Sequence, residues 1–212
     1  MPSSAISAQG SILAIGTGIG GAKTITAMAA GNPTIFTSAA HGFVNGDVIT
    51  IAALVGTAAA SFNGLTFSVV SKTSNTFALQ VDTTGLAYTS GGTATPVTFT
   101  NIANIKDFSG FDGSASELEV TNLDSVAKEF KLGLTDPGAF SINIDYDSAN
   151  AGHVALRAKQ VSGLLSNFRL TLPNATVITF TGFVKKFSLA GGVDAVAKTS
   201  VDIRISGAIT GL

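Results

Sequence analysis

FSINIDYD, residues 140–147, alternates without a break: Phe140, Ile142, Ile144 and Tyr146 take one side of an extended chain, and Ser141, Asn143, Asp145 and Asp147 take the other. Successive side chains of a β-strand point to opposite faces, so this stretch predicts a strand with one face on a core and one in solvent. The pattern recurs on both sides. Upstream, Leu118 and Val120 alternate with Glu117 and Glu119; downstream, within 198–209, Val201, Ile203 and Ile205 alternate with Asp202, Arg204 and Ser206. Further strands are expected at 11–15, 97–100, 168–172 and 176–189, the last with a bulge at Gly182.

Between these runs, EVTNLDSVAKEFKLGL (119–134) crowds its charges and follows a different period. Leu123, Val126, Ala127, Phe130 and Leu134 fall on one stripe of an α-helix, Thr121 and Asp124 have capping-box spacing, and Gly133 is a natural stop. The spacing predicts a helix of about three turns. Leu123, Val126 and Phe130 would lie on its buried side, with Lys128, Glu129 and Lys131 outside. A second helix is expected over 150–161, with Val154, Ala158 and Val161 on one stripe and Gly163 ending it.

Residues 30–96 have their own rhythm. Short β-type runs (34–37, 48–51, 66–70, 76–81) are separated by the turn signals His41-Gly42, Asn45-Gly46-Asp47, Asn63-Gly64, Ser74-Asn75 and Ser90-Gly91-Gly92, which reads as a small barrel or sandwich. The fold class expected is therefore mainly β: a sandwich or barrel from 1–29 and 97–212 carrying one or two short helices, with a small all-β module, 30–96, inserted.

Composition narrows the function. Only 12% of the 212 residues are charged and the net charge is −1, against about a quarter charged in ordinary globular chains. That excludes a basic nucleic-acid binder and points to surface hidden against other copies or to a Ser/Thr-rich solvated surface. There is no cysteine, so neither disulfides nor thiolate chemistry. No apolar run reaches membrane-spanning length, the first residues lack a signal-peptide pattern, and folding in a reducing cytoplasm is expected.

No residue set argues for catalysis. Gly16, Gly18 and Gly21 satisfy G-x-G-x-x-G, but a β-leaning stretch follows where a dinucleotide site needs a helix, so a turn is expected. Asp145, Asp147 and His153 lie close in sequence, but a solvated strand face and a helix start account for them better than a metal does. No G-x-S-x-G elbow occurs, and no Trp is present to line a sugar groove. No cofactor, metal or catalytic residue is expected.

Three segments, SELEVTNLDSVAKEFKLGLTDPGAFSINIDYD, HVALRAKQVSG and ITFTGFVKKFSLAGGVDAVAKTSVDIRISGAIT, together resemble the major tail tube proteins of long, flexible-tailed, lambda-like bacteriophages. Residues 30–96 resemble a small β module that recurs as an insertion in phage structural proteins. The resemblance implies a non-enzymatic virion protein, made in the bacterial host cytoplasm, that forms hexameric rings. The rings stack into a tube around the tape measure protein, bounded by tail terminator and distal tail proteins, through which double-stranded DNA passes. The 121–134 helix would then serve assembly through Leu123, Val126, Phe130, Lys128 and Glu129. At least two of the polar faces carrying Glu117 and Glu119, then Asn143, Asp145 and Asp147, then Asp202 and Arg204 would line the lumen, where excess acid keeps DNA from sticking; the alternative places them on the outer solvated wall. The competing reading is a β-rich module that recognises a host carbohydrate.

Overall fold

The computed structural model describes residues 5–211 and is mainly β, with fifteen strands, one α-helix and one short 3-10 turn among those residues. Two compact units emerge. One is formed by the chain up to Asn101 with Asn167–Thr179 and the last residues from Thr210; the other by Ile102–Ser166 and Phe180–Ile209.

The first unit contains β1 (Ile12–Ile19), β2 (Lys23–Thr24), β3 (Ala27–Ala29), β4 (Thr34–Thr37), β5 (Val48–Val55), the 3-10 turn Thr57–Ser61, β6 (Thr66–Val70), β7 (Thr76–Leu79) and β8 (Ser90–Ile102). Its strands run in the order β3-β4-β7-β6-β5-β8-β1, with β2 on β8, and β1 pairs antiparallel with Ser166–Thr171, a strand numbered β13 in chain order. The turn signals at His41-Gly42, Asn45-Gly46-Asp47, Asn63-Gly64 and Ser74-Asn75 fall between strands as expected, but Ser90-Gly91-Gly92, expected as a turn, opens strand β8. Apolar residues from Ile25 to Ala94 close around Phe36, Phe62 and Phe77, with the Phe36 ring 5.0 Å from Phe62 edge-on and 5.5 Å from Phe77, stacked. Buried aromatic pairs of this kind add to the area they remove from water.

This core is also tied to the flanking strands. Arg169 on β13 bonds Asp47 at 3.1 Å and lies 4.5 Å over the Phe99 ring of β8. Gly46 has φ +86°, and a Cβ there would come within 2.5 Å of Val177, so the turn takes glycine for both conformation and space. Gly16 and Gly18 correct the turn expectation: both lie within β1, where a Cβ would meet Val97 and Thr98 of β8 at 2.9 Å. The glycines permit close strand approach.

The second unit contains β9 (Ile105–Gly110), β10 (Ser114–Glu119), β11 (Phe130–Asp136), β12 (Ala139–Asp145), α1 (Ala151–Ser162), most of β14 (Val177–Ala190) and β15 (Lys198–Ile205). The order is β14-β15-β12-β9, with β10 and β11 a separate hairpin. The alternation is realised over 140–145, where the strand ends: Phe140, Ile142 and Ile144 are buried, as are Val201, Ile203 and Ile205 of the neighbouring strand. Helix α1 starts where expected, Asn150 Oδ1 accepting the Gly152 and His153 backbone N–H groups. It ends at Gly163 in the left-handed conformation, φ +64°. Its buried side is Gly152, His153 and Leu156, not the Val154–Ala158–Val161 stripe.

The helix expected over 121–134 is absent. Those residues form the loop and second strand of the β10–β11 hairpin. Leu123 and Val126, expected in a core, are fully exposed (105% and 104%), and Phe130 is 53% exposed. The physical reason is local. The Val120 N–H donates to the Glu129 carbonyl at 2.9 Å, and Thr121 Oγ1 accepts the Glu129 N–H at 3.1 Å. Asn122 Oδ1 accepts the Asp124 N–H at 2.9 Å, and Ser125 Oγ accepts the Asn122 N–H at 3.1 Å. The side chain of Thr121, the expected N-cap, closes a loop instead, together with those of Asn122 and Ser125, because Asn, Ser and Thr offer the backbone alternatives to helical bonding. A helix this short also needs something to pack on.

Candidate assembly surfaces

The hairpin register pairs Glu119 with Phe130, Leu118 with Lys131 and Glu117 with Leu132, before a shift toward Ala115–Thr135. Residues directly opposite share a face. Glu117 and Glu119 thus stand beside Phe130 and Leu132, not on a purely polar face. Glu119 also binds Lys128 at 3.4 Å, so Lys128 braces the hairpin, while the Glu129 backbone closes it. Leu118, Leu123, Val126, Phe130, Leu132 and Leu134 are all exposed. An isolated hairpin is marginal in water, and this one presents apolar side chains with nothing over them.

A second uncovered surface departs from the sequence expectation of burial. On the outer side of α1, Val154 and Val161 are exposed, with Arg157 and Ala158 between them and Leu164 and Leu165 just beyond. The Arg157 guanidinium lies 5.8 Å from the Phe187 ring, and its Nη1 donates to Gln160 at 3.2 Å.

The third surface is the polar face of β14, β15, β12 and β9. Register sets Ser141 opposite Asp202, Asn143 opposite Ser200 and Asp145 opposite Lys198. Ser141 Oγ donates to Asp202 at 2.9 Å, with Lys186 Nζ 3.9 Å from that carboxylate. Asn143 Nδ2 donates to Asp107 at 2.7 Å, and Asp145 pairs with Lys106 at 3.0 Å. Arg204 binds Asp136. Asp147 is not on this face; its carboxylate accepts the Ala149 N–H in the turn before α1. The acidic excess expected from sequence is therefore reduced: Asp145, Asp202 and Asp136 pair with Lys106, Lys186 and Arg204, Asp107 accepts from Asn143, and Lys198 stands opposite Asp145 in register. Sequence supplied Asp145, Asp202 and Arg204 but not Asp107, Asp136, Lys106 and Lys186, which come to these partners only through the fold.

Asp136 is held below the ordinary carboxylate value, first by the Gly138 N–H and then by hydrogen bonding to Arg204. Asp82 is lowered by the Thr84 hydroxyl and N–H. The imidazoles are engaged by backbone. His153 Nε2 donates to the Ala103 carbonyl at 2.8 Å, which leaves Nδ1 to accept the Asp147 N–H at 3.1 Å. His41 Nδ1 accepts the Phe43 N–H at 2.9 Å, with Nε2 3.2 Å from the Thr76 carbonyl. Neither ring presents a free nitrogen to a ligand. Phe36, Phe43, Phe62 and Phe77 are buried, which removes them as a stacking platform for sugars.

The described residues thus present uncovered apolar surfaces and a sheet face carrying three ion pairs, with both histidines bonded to backbone. Residues 69–172 match the family model described as phage tail tube, TTP, lambda-like. Over that span, just under half of its length, the chain is similar to the lambda-like phage tail tube proteins, a family of structural proteins and not enzymes. "Structural protein 3" of Pseudomonas phage PAJU2 is 23% identical over 129 residues, 50% of this chain and 79% of that protein. Among solved structures, a chain from the tail of an empty gene transfer agent particle, refined helically with C6 symmetry, aligns at 19% identity and TM-score 0.46, over 54% of this chain and 86% of its own. A chain from the native gene transfer agent virion aligns at 18% and TM-score 0.46, over 54% and 88%.

Proposed function

We propose that this chain polymerises as stacked hexameric rings into the phage tail tube, the conduit for DNA ejection. The family match over 69–172 carries the reading, and six copies to a ring is the number that the resemblance to lambda-like tail tubes implies. The exposed apolar surfaces support it physically, since a monomer gains nothing by keeping them wet. The tape measure protein would occupy the lumen during assembly, tail terminator and distal tail proteins would bound the tube, and synthesis would take place in the host cytoplasm. The 30–96 segment is read as an inserted module on the outer wall, supported by its own aromatic core.

The ion-paired face bearing Asn143, Asp145, Asp202 and Arg204 is the candidate lumen wall. Free cations there would hold phosphate, and every added contact strengthens binding through counterion release. A wall on which Lys106, Lys186 and Arg204 are already paired leaves a polyanion less to grip. Asp145→Lys with Asp202→Lys would set new cations against Lys106 and Lys186. Tubes visible by negative stain, with impaired DNA ejection that worsens at low salt, are expected from phage carrying the pair. Wild-type infectivity would refute the lumen assignment. Purified wild-type protein that stays monomeric at high concentration in sedimentation velocity would refute the tube reading.

A further inference from the structure

Resting on that reading, we infer that the tip of the β10–β11 hairpin of one copy docks on the outer stripe of helix α1 of the next copy. Val154, Arg157, Ala158 and Val161 stand at i, i+3, i+4 and i+7, the four corners of a hole on a helix surface, and Ala158 keeps its floor low. Leu123 and Val126, fully exposed at the hairpin tip, are knobs of matching chemistry.

Charge complements shape. Residues 151–162 contain Arg157 and Lys159 and no acid. The tip holds Asp124 and Glu129, neither carboxylate in an ion pair among the described residues, while its one cation, Lys128, is already bound to Glu119. Apolar knobs flanked by unpaired acids would thus meet a hole whose Arg157 corner is basic. The two surfaces differ, so the contact is heterologous: every copy offers one and accepts one, which lets copies add in a single direction until a ring closes or a stack grows. Opposite charge speeds the encounter and fixes its register.

The chain contains no cysteine, so introduced thiols report only this contact. Val126→Cys with Val161→Cys, assembled and then oxidised, should give a ladder of covalent oligomers on non-reducing gels. Either single variant should give no species beyond a dimer. Arg157→Glu should raise the threshold concentration for assembly about tenfold, and adding Asp124→Arg should restore most of it. Tubes that form normally with no ladder, or a charge swap that fails to rescue, overturn this docking while leaving the tube reading intact. Wild-type protein that never assembles overturns both.

Discussion

Asp136 shows how a single residue ties the molecule to pH. Its carboxylate accepts the Gly138 N–H at 2.9 Å and binds Arg204, and both interactions favour the charged form. Its folded-state pKa lies below its unfolded one. Its contribution is therefore fully present above the unfolded value, about pH 4, and is lost as pH falls through the lower folded value. Asp136→Asn is expected to lower the urea midpoint at pH 7, with the gap to wild type closing as both are acidified below about pH 4. A gap that persists at low pH would assign the effect to packing. Sequence reveals such charges but not their partners. Arg204 reads as a lone base on an acidic face, and only cross-strand register brings it to Asp136, which lies far away in the chain. Alternation at 140–147, by contrast, was legible because each residue's side follows from its immediate neighbours.

Elements were legible where one period stood alone. Helix α1 combines an Asn cap, a helix-forming run and a glycine stop, and it forms where those signals place it, yet it turns the opposite side inward. Leu156 and His153 fill the inner face, while the Val154–Val161 stripe stays outside. In 119–134 two periods compete. Leu123, Val126 and Phe130 fit a helix, while Phe130, Leu132 and Leu134 fit a strand, and the Asn122 and Thr121 side chains settle the matter by closing a loop. An apolar stripe that is a contact surface between copies looks in sequence just like one that faces the chain's own core. The expected outcomes separate them. Leu156→Ala should cost about 2–5 kcal/mol of monomer stability in chemical denaturation, because it opens a cavity. Val161→Ala should shift it by no more than about 0.5 kcal/mol. Equal losses would contradict the inward and outward assignment of α1.

At the scale of the whole chain, composition and turn rhythm indicated a β protein with an inner module, and buried residues between Ile25 and Ala94 do make a core. Not legible was how firmly the flanks hold it: the Asp47–Arg169 pair, the Gly46–Val177 approach and the shared strand β8 all join residues far apart in sequence. If the module is an insertion with its own stability, residues 23–96 expressed alone should unfold cooperatively with dispersed amide resonances. A collapsed fragment without a cooperative transition would mean that β1 and β13 complete its fold. Strand β8, Ser90–Ile102, is hydrogen-bonded to β5 on one side and β1 on the other, with Gly20 N–H on the Pro96 carbonyl at 2.7 Å. There is consequently no slack tether at this junction. A tug on the module would load a long backbone ladder in shear, breaking many bonds together instead of unzipping them one by one, so the module would ride any mechanical shock without swinging free.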